Sequence, residues 1–437
     1  MSGHQGLKWY KLDKAAKIYP LVTNERYTYN FRVSAILKEK INEEILYQAI
    51  LDSRKRFPMF FVKLKRGLFW YYFEENLLPP ILDIESPFIC SKKDEYFNNK
   101  YLFTFLYYDK RISLEINHAL TDGGGAIMFL NAVVYHYLEL LGKELTPDDN
   151  IMLVNDQLHY KDVEDSYAKN YSGGGLNPPK TPNAYIYKGK TFKGFGSGVI
   201  DSYINSKELI TLVKSEDSSI TKYVVALLIY SIIINGNKKK LRKKPINICV
   251  PINLRSIYNS KTLNNFSLTF YISYQMKSEE PNLNDILKEV EVEFIKKRDL
   301  KKIQATLDTV CVIQRKSIVK FIPLPIKYIL FKIGYTVFGR LPTTITFSNF
   351  GVVKIPESME KHVESFSFYM GSGMKHAVAM NSYAGKTSIV FSRAFVDTKL
   401  EETFFKFLSS KGLDVEVTSN YWEKNSKRFF KQFLIKK

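Results

Sequence analysis

Between residues 112 and 141 the apolar period of the chain changes from two to roughly 3.6 across a single turn. Ile112, Leu114 and Ile116 alternate with Ser113, Glu115 and Asn117, so this segment reads as a strand with one apolar face. Ile127, Leu130, Val134, Tyr137 and Leu141 then mark one side of a helix, with Gly142 where a C-terminal cap belongs. The loop between them is His118-Ala119-Leu120-Thr121-Asp122-Gly123-Gly124-Gly125. A strand handing its chain to a helix this abruptly fits a sheet covered by helices better than an all-α or all-β plan.

Other stretches agree. Asn42 reads as the N-cap of a helix marked by Ile45, Leu46, Ala49 and Ile50 and closed by Pro58. Phe60 to Phe73 predicts two strands turning at Arg66-Gly67, and Leu102 to Tyr107 another before a turn at Asp109-Lys110. Further on, a helix is expected from Ile220 through Ile232, with strands at 246–250, 343–347, 365–369 and 387–391. The stretch 171–198 holds Gly173-Gly174-Gly175, Pro178-Pro179, Pro182, Gly194, Gly196 and Gly198 without apolar periodicity. It reads as a connection between two units, 1–170 and 199–437, each of ordinary domain size.

Composition removes several classes. Hydrophobic residues make up 45% and aromatic residues 14%, which is incompatible with a disordered chain. Met1 to Leu12 lacks an apolar signal core, and Cys90, Cys249 and Cys311 are too scattered for a disulfide framework or a zinc cluster, so a cytoplasmic protein is expected. The apolar stretch Phe321 to Phe338 is broken by Pro323, Pro325, Lys327 and Lys332. That falls short of the ~20 residues of a spanning helix and predicts a buried or surface amphipathic helix without stable membrane insertion. The net charge of +20 favours an anionic partner, but no nucleic-acid motif accompanies it and nucleic acid is not expected.

Chemistry concentrates at His118. An imidazole in a loop at a strand end suits a general base, since it titrates near neutrality and is held in one orientation. Asp122 stands where a carboxylate caps the following helix or pairs with a buried arginine. Gly123, Gly124 and Gly125 permit close approach of backbone or of a long substrate. The same residues also suit a plain turn, with His118 a satisfied polar group and Asp122 only a cap. Of the other histidines, His136 is expected on the helix surface, and His4, His159, His362 and His376 lack a partner at useful spacing. Gly194, Gly196 and Gly198 do not form a nucleotide-binding fingerprint.

With these motifs the sequence resembles the coenzyme-A-dependent acyltransferase superfamily: chloramphenicol acetyltransferase, peptide-synthetase condensation domains, plant acyltransferases and, most nearly, bacterial alcohol acetyltransferase-like proteins. His118 to Gly123 is similar to the family's H-H-x-x-x-D-G, with Asn117 in place of the first histidine and the catalytic second one kept. Arg56-Phe57-Pro58 looks like the condensation-type segment that ends the first helix. Val250-Pro251-Ile252-Asn253-Leu254-Arg255 resembles the P-x-N-L-R strand of the second half, and Ser348-Asn349-Phe350-Gly351 the S-N-x-G segment.

The resemblance implies an α/β fold of two chloramphenicol-acetyltransferase-like mixed-sheet halves, a pseudo-dimer with a tunnel between them. It implies that His118 deprotonates a hydroxyl or amine that attacks an acyl thioester. Asp122 would be structural, paired with Arg56 or alternatively with Arg255, and supported by Gly123. Ser348 and Asn349 would stabilise the oxyanion or line the tunnel, or else be polar residues at a strand end. No metal or bound cofactor is expected; acyl-coenzyme A, or a phosphopantetheine thioester on a carrier protein, is the co-substrate of what is expected to be a monomer. The alternatives are a condensation-type enzyme using a carrier-bound donor, and a catalytically silent relative that binds an acyl ligand.

Overall fold

The computed structural model describes residues 8–23, 28–86, 88–90, 97–176, 181–192, 197–315, 317–371 and 375–420. His4, Pro178, Pro179, Gly194 and Gly196 lie outside the described residues. The first half supplies strands β1 (Trp9–Lys11), β2 (Asn30–Leu37), β3 (Val62–Arg66), β4 (Tyr71–Glu75), β5 (Leu82–Ile84), β6 (Phe103–Tyr108) and β7 (Arg111–Asn117). The second supplies β8 (Gly198–Asn205), β9 (Ile246–Asn253), β10 (Ser267–Tyr274), β11 (Ile345–Val352), β12 (Val363–Met370), β13 (His376–Tyr383), β14 (Lys386–Arg393) and β15 (Val415–Ser419).

These strands make a three-stranded sheet in the order β1-β4-β3 and two larger ones. The larger sheets run β12-β2-β7-β6-β5 and β10-β9-β11-β13-β14-β8-β15. Both are mixed, with β5 parallel to β6 in one and β11 parallel to β9 and β13 in the other. The expected α/β architecture of two mixed-sheet halves is therefore present. One strand crosses between them: β12 leaves the second half and pairs antiparallel with β2, Phe366 opposite Ala35 and Phe368 opposite Val33.

The local signals translate directly. The Asn42 side chain accepts a hydrogen bond from the Ile45 N–H and opens the helix Glu43–Asp52. The long helix Gly123–Leu140 ends before Gly142, whose φ of +75° places it in the left-handed region that a Cβ disfavours. The strand ending at Asn117 is buried on both faces. Ile112, Leu114 and Ile116 join the apolar core of the first half, whereas Ser113 and Glu115 find buried partners in Ser34 and Arg32. Polar groups can be buried there because each meets a complementary group.

The connection also differs from a solvated linker. Ala184, Tyr185 and Tyr187 are buried, and the Tyr185 N–H donates to the Pro245 carbonyl, so this stretch packs onto the second half. The helix Ile220–Asn235 is buried along most of its length, which explains an apolar pattern with no polar face. Among the described residues no single helix is long and apolar enough to cross a membrane.

The first core is built around Phe129, on the helix that follows the His118 loop. Its ring meets those of Phe57, Phe60, Phe61, Phe103 and Phe105 at centroid distances of 4.9 to 6.3 Å. Edge-to-face and tilted rings of this kind add to the burial of each ring. Phe129→Ala is expected to cost about 3–5 kcal/mol, measured as a lowered urea midpoint at unchanged m-value.

Candidate active site

The His118 loop is fixed from below by its own strand. The Asn117 amide donates to the Thr28 carbonyl (2.9 Å) and to Asn30 Oδ1 (2.7 Å), and its Oδ1 accepts from the Ala119 N–H. Asparagine at this position braces the turn, so the departure from a double histidine leaves the loop anchored. The His118 N–H donates to the Tyr29 carbonyl, and the Asn265 amide donates to the His118 carbonyl at 3.0 Å. The imidazole lies between Tyr19, stacked at 5.1 Å, and Phe31 at 4.5 Å.

Asp122 joins the two halves. Its Oδ1 accepts from the backbone N–H groups of Gly124 and Gly125, capping the helix Gly123–Leu140. The Arg255 guanidinium grips both oxygens, Nη1 at 2.9 Å from Oδ2 and Nη2 at 2.8 Å from Oδ1, and the Phe266 N–H adds a third donor side at 2.8 Å. Asp122, Arg255 and Phe266 are buried, and a fork-on-carboxylate pair is the geometry in which a buried ion pair holds best. Gly124 is needed because a Cβ there would sit 2.8 Å from Arg255 Nη1. At Gly125 a Cβ would sit 2.4 Å from the Leu263 carbonyl oxygen, and at Gly123 it would strike the Phe350 ring.

Arg56 does not reach Asp122, and the expected first partner is corrected here. Its Nη1 pairs with Asp162 Oδ2 at 2.9 Å. The Asp162 carbonyl accepts from the Leu263 N–H, and the Leu263 carbonyl accepts from Thr121 Oγ1. Arg56 thus supports the loop from one layer further back. His136 is also corrected: it is buried, with its ring nitrogens 3.0 Å from Asp52 and Glu139. Among the described residues no group of three His, Cys, Asp or Glu side chains is placed to hold a metal.

A cavity of about 460 Å³ opens beside these residues, within the range of small-molecule sites. His118, Asp122, Gly123 and Gly124 line it from the first half, with Arg255, Ser348, Asn349 and Phe350 from the second. Asn349 has structural duties as well: its amide donates to Thr221 Oγ1, and its Oδ1 accepts from the Gly351 N–H. Phe350 stacks on Phe368 with centroids 3.9 Å apart. Asp13 and Asn265 escaped the sequence reading. Asp13 Oδ2 accepts from both the backbone N–H and the amide of Asn265, which steadies the group holding the His118 carbonyl. No local motif marks either residue.

Burial pushes the His118 imidazole below its ordinary value, partly opposed by the Asp122 carboxylate. The ring is thereby kept neutral at pH 7, the form a base requires. Its Nδ1 is buried and has no hydrogen-bond partner among the described residues. For Asp122, burial alone would raise the carboxyl, but Arg255 and the donated hydrogen bonds outweigh it and hold the group below the usual carboxylate range.

No family model matches the sequence, and no curated protein matches it. Solved structures do match in three dimensions. Fusarium graminearum TRI101 complexed with coenzyme A and deoxynivalenol is 10% identical with a TM-score of 0.61, covering 95% of this chain and 100% of that one. TRI3 trichothecene 15-O-acetyltransferase from Fusarium sporotrichioides is 10% identical with a TM-score of 0.58 over 93% and 96%. The epimerization domain of tyrocidine synthetase B is 12% identical with a TM-score of 0.53 over 92% and 96%.

Arg255→Met leaves Asp122 as a buried, unpaired carboxylate and is expected to cost about 3–5 kcal/mol. Because the folded-state pKa of Asp122 is depressed, the pair's contribution is complete above the unfolded carboxylate value of about 3.9. It is lost as pH falls through the folded value. The stability gap between wild type and variant, from urea unfolding, should therefore be widest near neutrality and narrow on acidification. The chain has the chloramphenicol-acetyltransferase-like fold of two mixed α/β halves that these O-acetyltransferase and peptide-synthetase structures share.

Proposed function

We propose that the protein is an acyltransferase that moves an acyl group from acyl-coenzyme A to a hydroxyl or amine acceptor, with His118 as general base. The observation that carries this reading is a half-buried imidazole, its neutral form favoured by its surroundings, facing a cavity between the halves of a fold shared with coenzyme-A-complexed acetyltransferases. Neutral His118 takes the proton of the acceptor hydroxyl as its oxygen attacks the thioester carbonyl. The tetrahedral intermediate then collapses, the carbon–sulfur bond breaks, and the coenzyme A thiolate leaves with the proton returned by the imidazolium.

Asp122 is a positioning residue in this scheme. It turns toward Arg255 and the helix N-terminus, so its charge keeps the loop in place and offsets only part of the burial that favours the neutral base. Ser348 is the better placed of the two candidates for the oxyanion, because the Asn349 amide is already bonded to Thr221. Three buried cysteines, widely separated in sequence, suit a reducing, cytoplasmic setting, and a monomer suffices because one chain supplies both walls of the cavity.

The test is thiol release from acetyl- and longer acyl-coenzyme A with panels of alcohols and amines. Acceptor-dependent release should fall by about 10²–10⁴-fold in His118→Ala, the range of general-base contributions. Since burial depresses the imidazole, kcat/KM should rise with pH through an apparent pKa below the usual 6.5 or so and be flat at neutrality. A limb centred above 7, or full release in the variant, would remove His118 from the role.

A further inference from the structure

The helix Leu324–Tyr335 carries two faces that are both apolar. Inward, Leu324 and Lys327 are buried. The Lys327 ammonium donates to the Phe69 and Lys320 carbonyls and lies 3.7 Å over the Trp70 ring. Phe331 packs edge-on against the same indole. Outward, Ile326, Ile329, Leu330, Ile333 and Val337 follow the spacing i, i+3, i+4, i+7, i+11, a single stripe along the helix and the π-helical turn beyond it. They are exposed, Ile329 by 58% and Ile333 by 57%, and Phe321, Phe338 and Leu68, whose carbonyl accepts from the Leu324 N–H, are exposed by 69%, 66% and 70%. Isolated exposed aliphatics are ordinary, whereas a continuous row of this kind marks an interaction site.

Charge decides what covers it. From residue 309 to residue 356 the sequence contains no Asp or Glu and seven Lys or Arg. Lys320, Lys332 and Arg340 are exposed around the stripe. A second copy docking face to face would set like charges against each other. The outer side of a helix is also a ridge, which offers no groove to an incoming peptide. An apolar ridge with exposed Lys320, Lys332 and Arg340 beside it, in a segment without carboxylates and on a chain of net charge +20, matches the headgroup–acyl boundary of an anionic bilayer.

We propose that this face seats the protein peripherally on anionic lipid membranes, with the helix lying in the interface plane. The seat adjoins the chemistry. Tyr335 packs edge-on against Tyr29, whose carbonyl holds the His118 N–H, and Tyr335, Thr336, Gly339 and Arg340 are among the residues that line a second cavity of about 260 Å³. Under the acyl-transfer reading, a seated helix favours an acyl chain or acceptor that partitions into the bilayer. The docking itself does not depend on that reading.

The experiment is co-sedimentation with vesicles of phosphatidylcholine, with and without phosphatidylglycerol. It is run on wild type, Ile329→Ser/Ile333→Ser and Lys320→Gln/Lys332→Gln, alongside light scattering in buffer and thiol release with a water-soluble acceptor. Wild type should bind the anionic vesicles and far less the neutral ones. The aliphatic pair should lose about tenfold or more of that binding and the lysine pair about twentyfold at low salt, both with unchanged thermal midpoints and turnover. Absence of binding to anionic vesicles, or variants that bind like wild type, would overturn the proposal. So would a wild-type dimer in buffer that the aliphatic pair dissolves without any vesicle binding. Loss of docking with thiol release intact leaves acyl transfer standing, and docking without thiol release leaves the membrane seat standing.

Discussion

Asp122 and Arg255 form a buried ion pair that ties the His118 loop of the first half to the second. A carboxylate taken out of water is costly by itself, and here the cost is offset by a guanidinium fork from one side, two helix N–H groups from another and the Phe266 N–H from a third. The helix N–H groups are local, whereas Arg255 and the Phe266 N–H both come from the 253–266 segment, so the carboxylate is fully satisfied only when that segment is packed against the loop. The loop geometry that presents His118 is thus a product of the assembled molecule rather than of the strand and helix that flank it. The glycines belong to the same arrangement, because Arg255 and the Leu263 carbonyl approach so closely that no side chain fits between.

Around this pair the imidazole is held by groups that leave it little freedom. Two aromatic rings flank it, its backbone N–H and carbonyl are both bonded, and burial favours its neutral form. In the proposed reaction, a base held so rigidly would need no reorganisation when the acceptor arrives. Asp13 and Asn265 contribute by fixing the carbonyl side, and Arg56 by fixing the backing loop through Asp162.

What could be read from the sequence was what periodicity and caps encode locally. The strand before His118, the helix after it and the Asn42-capped helix all stand where alternation, helical spacing and cap residues put them. The choice of partner for Asp122 was not local: the family resemblance put Arg56 first and Arg255 second, and no spacing in the sequence could reverse that order. Only the packing of the 253–266 segment against the loop, 133 residues away in sequence, decides for Arg255. His136 was misplaced for a related reason, since its helix is covered on the side where Asp52 stands. The surface helix at 324–335 defeated the pattern in the opposite sense. Both of its faces are apolar, and a sequence cannot say which of two such faces meets protein.

The crossing strand β12 sets an order on the assembly of the chain. The sheet of the first half places β2 between β7 and β12, yet β12 ends at residue 370. Until then the β2 edge presents unpaired backbone groups that any strand of compatible register can claim. A chain emerging from its N-terminus therefore holds an open edge for most of its synthesis. A break in the backbone between residues 171 and 198 would leave the first fragment without the β12 edge of its sheet and the second without the Asp122 that Arg255 grips.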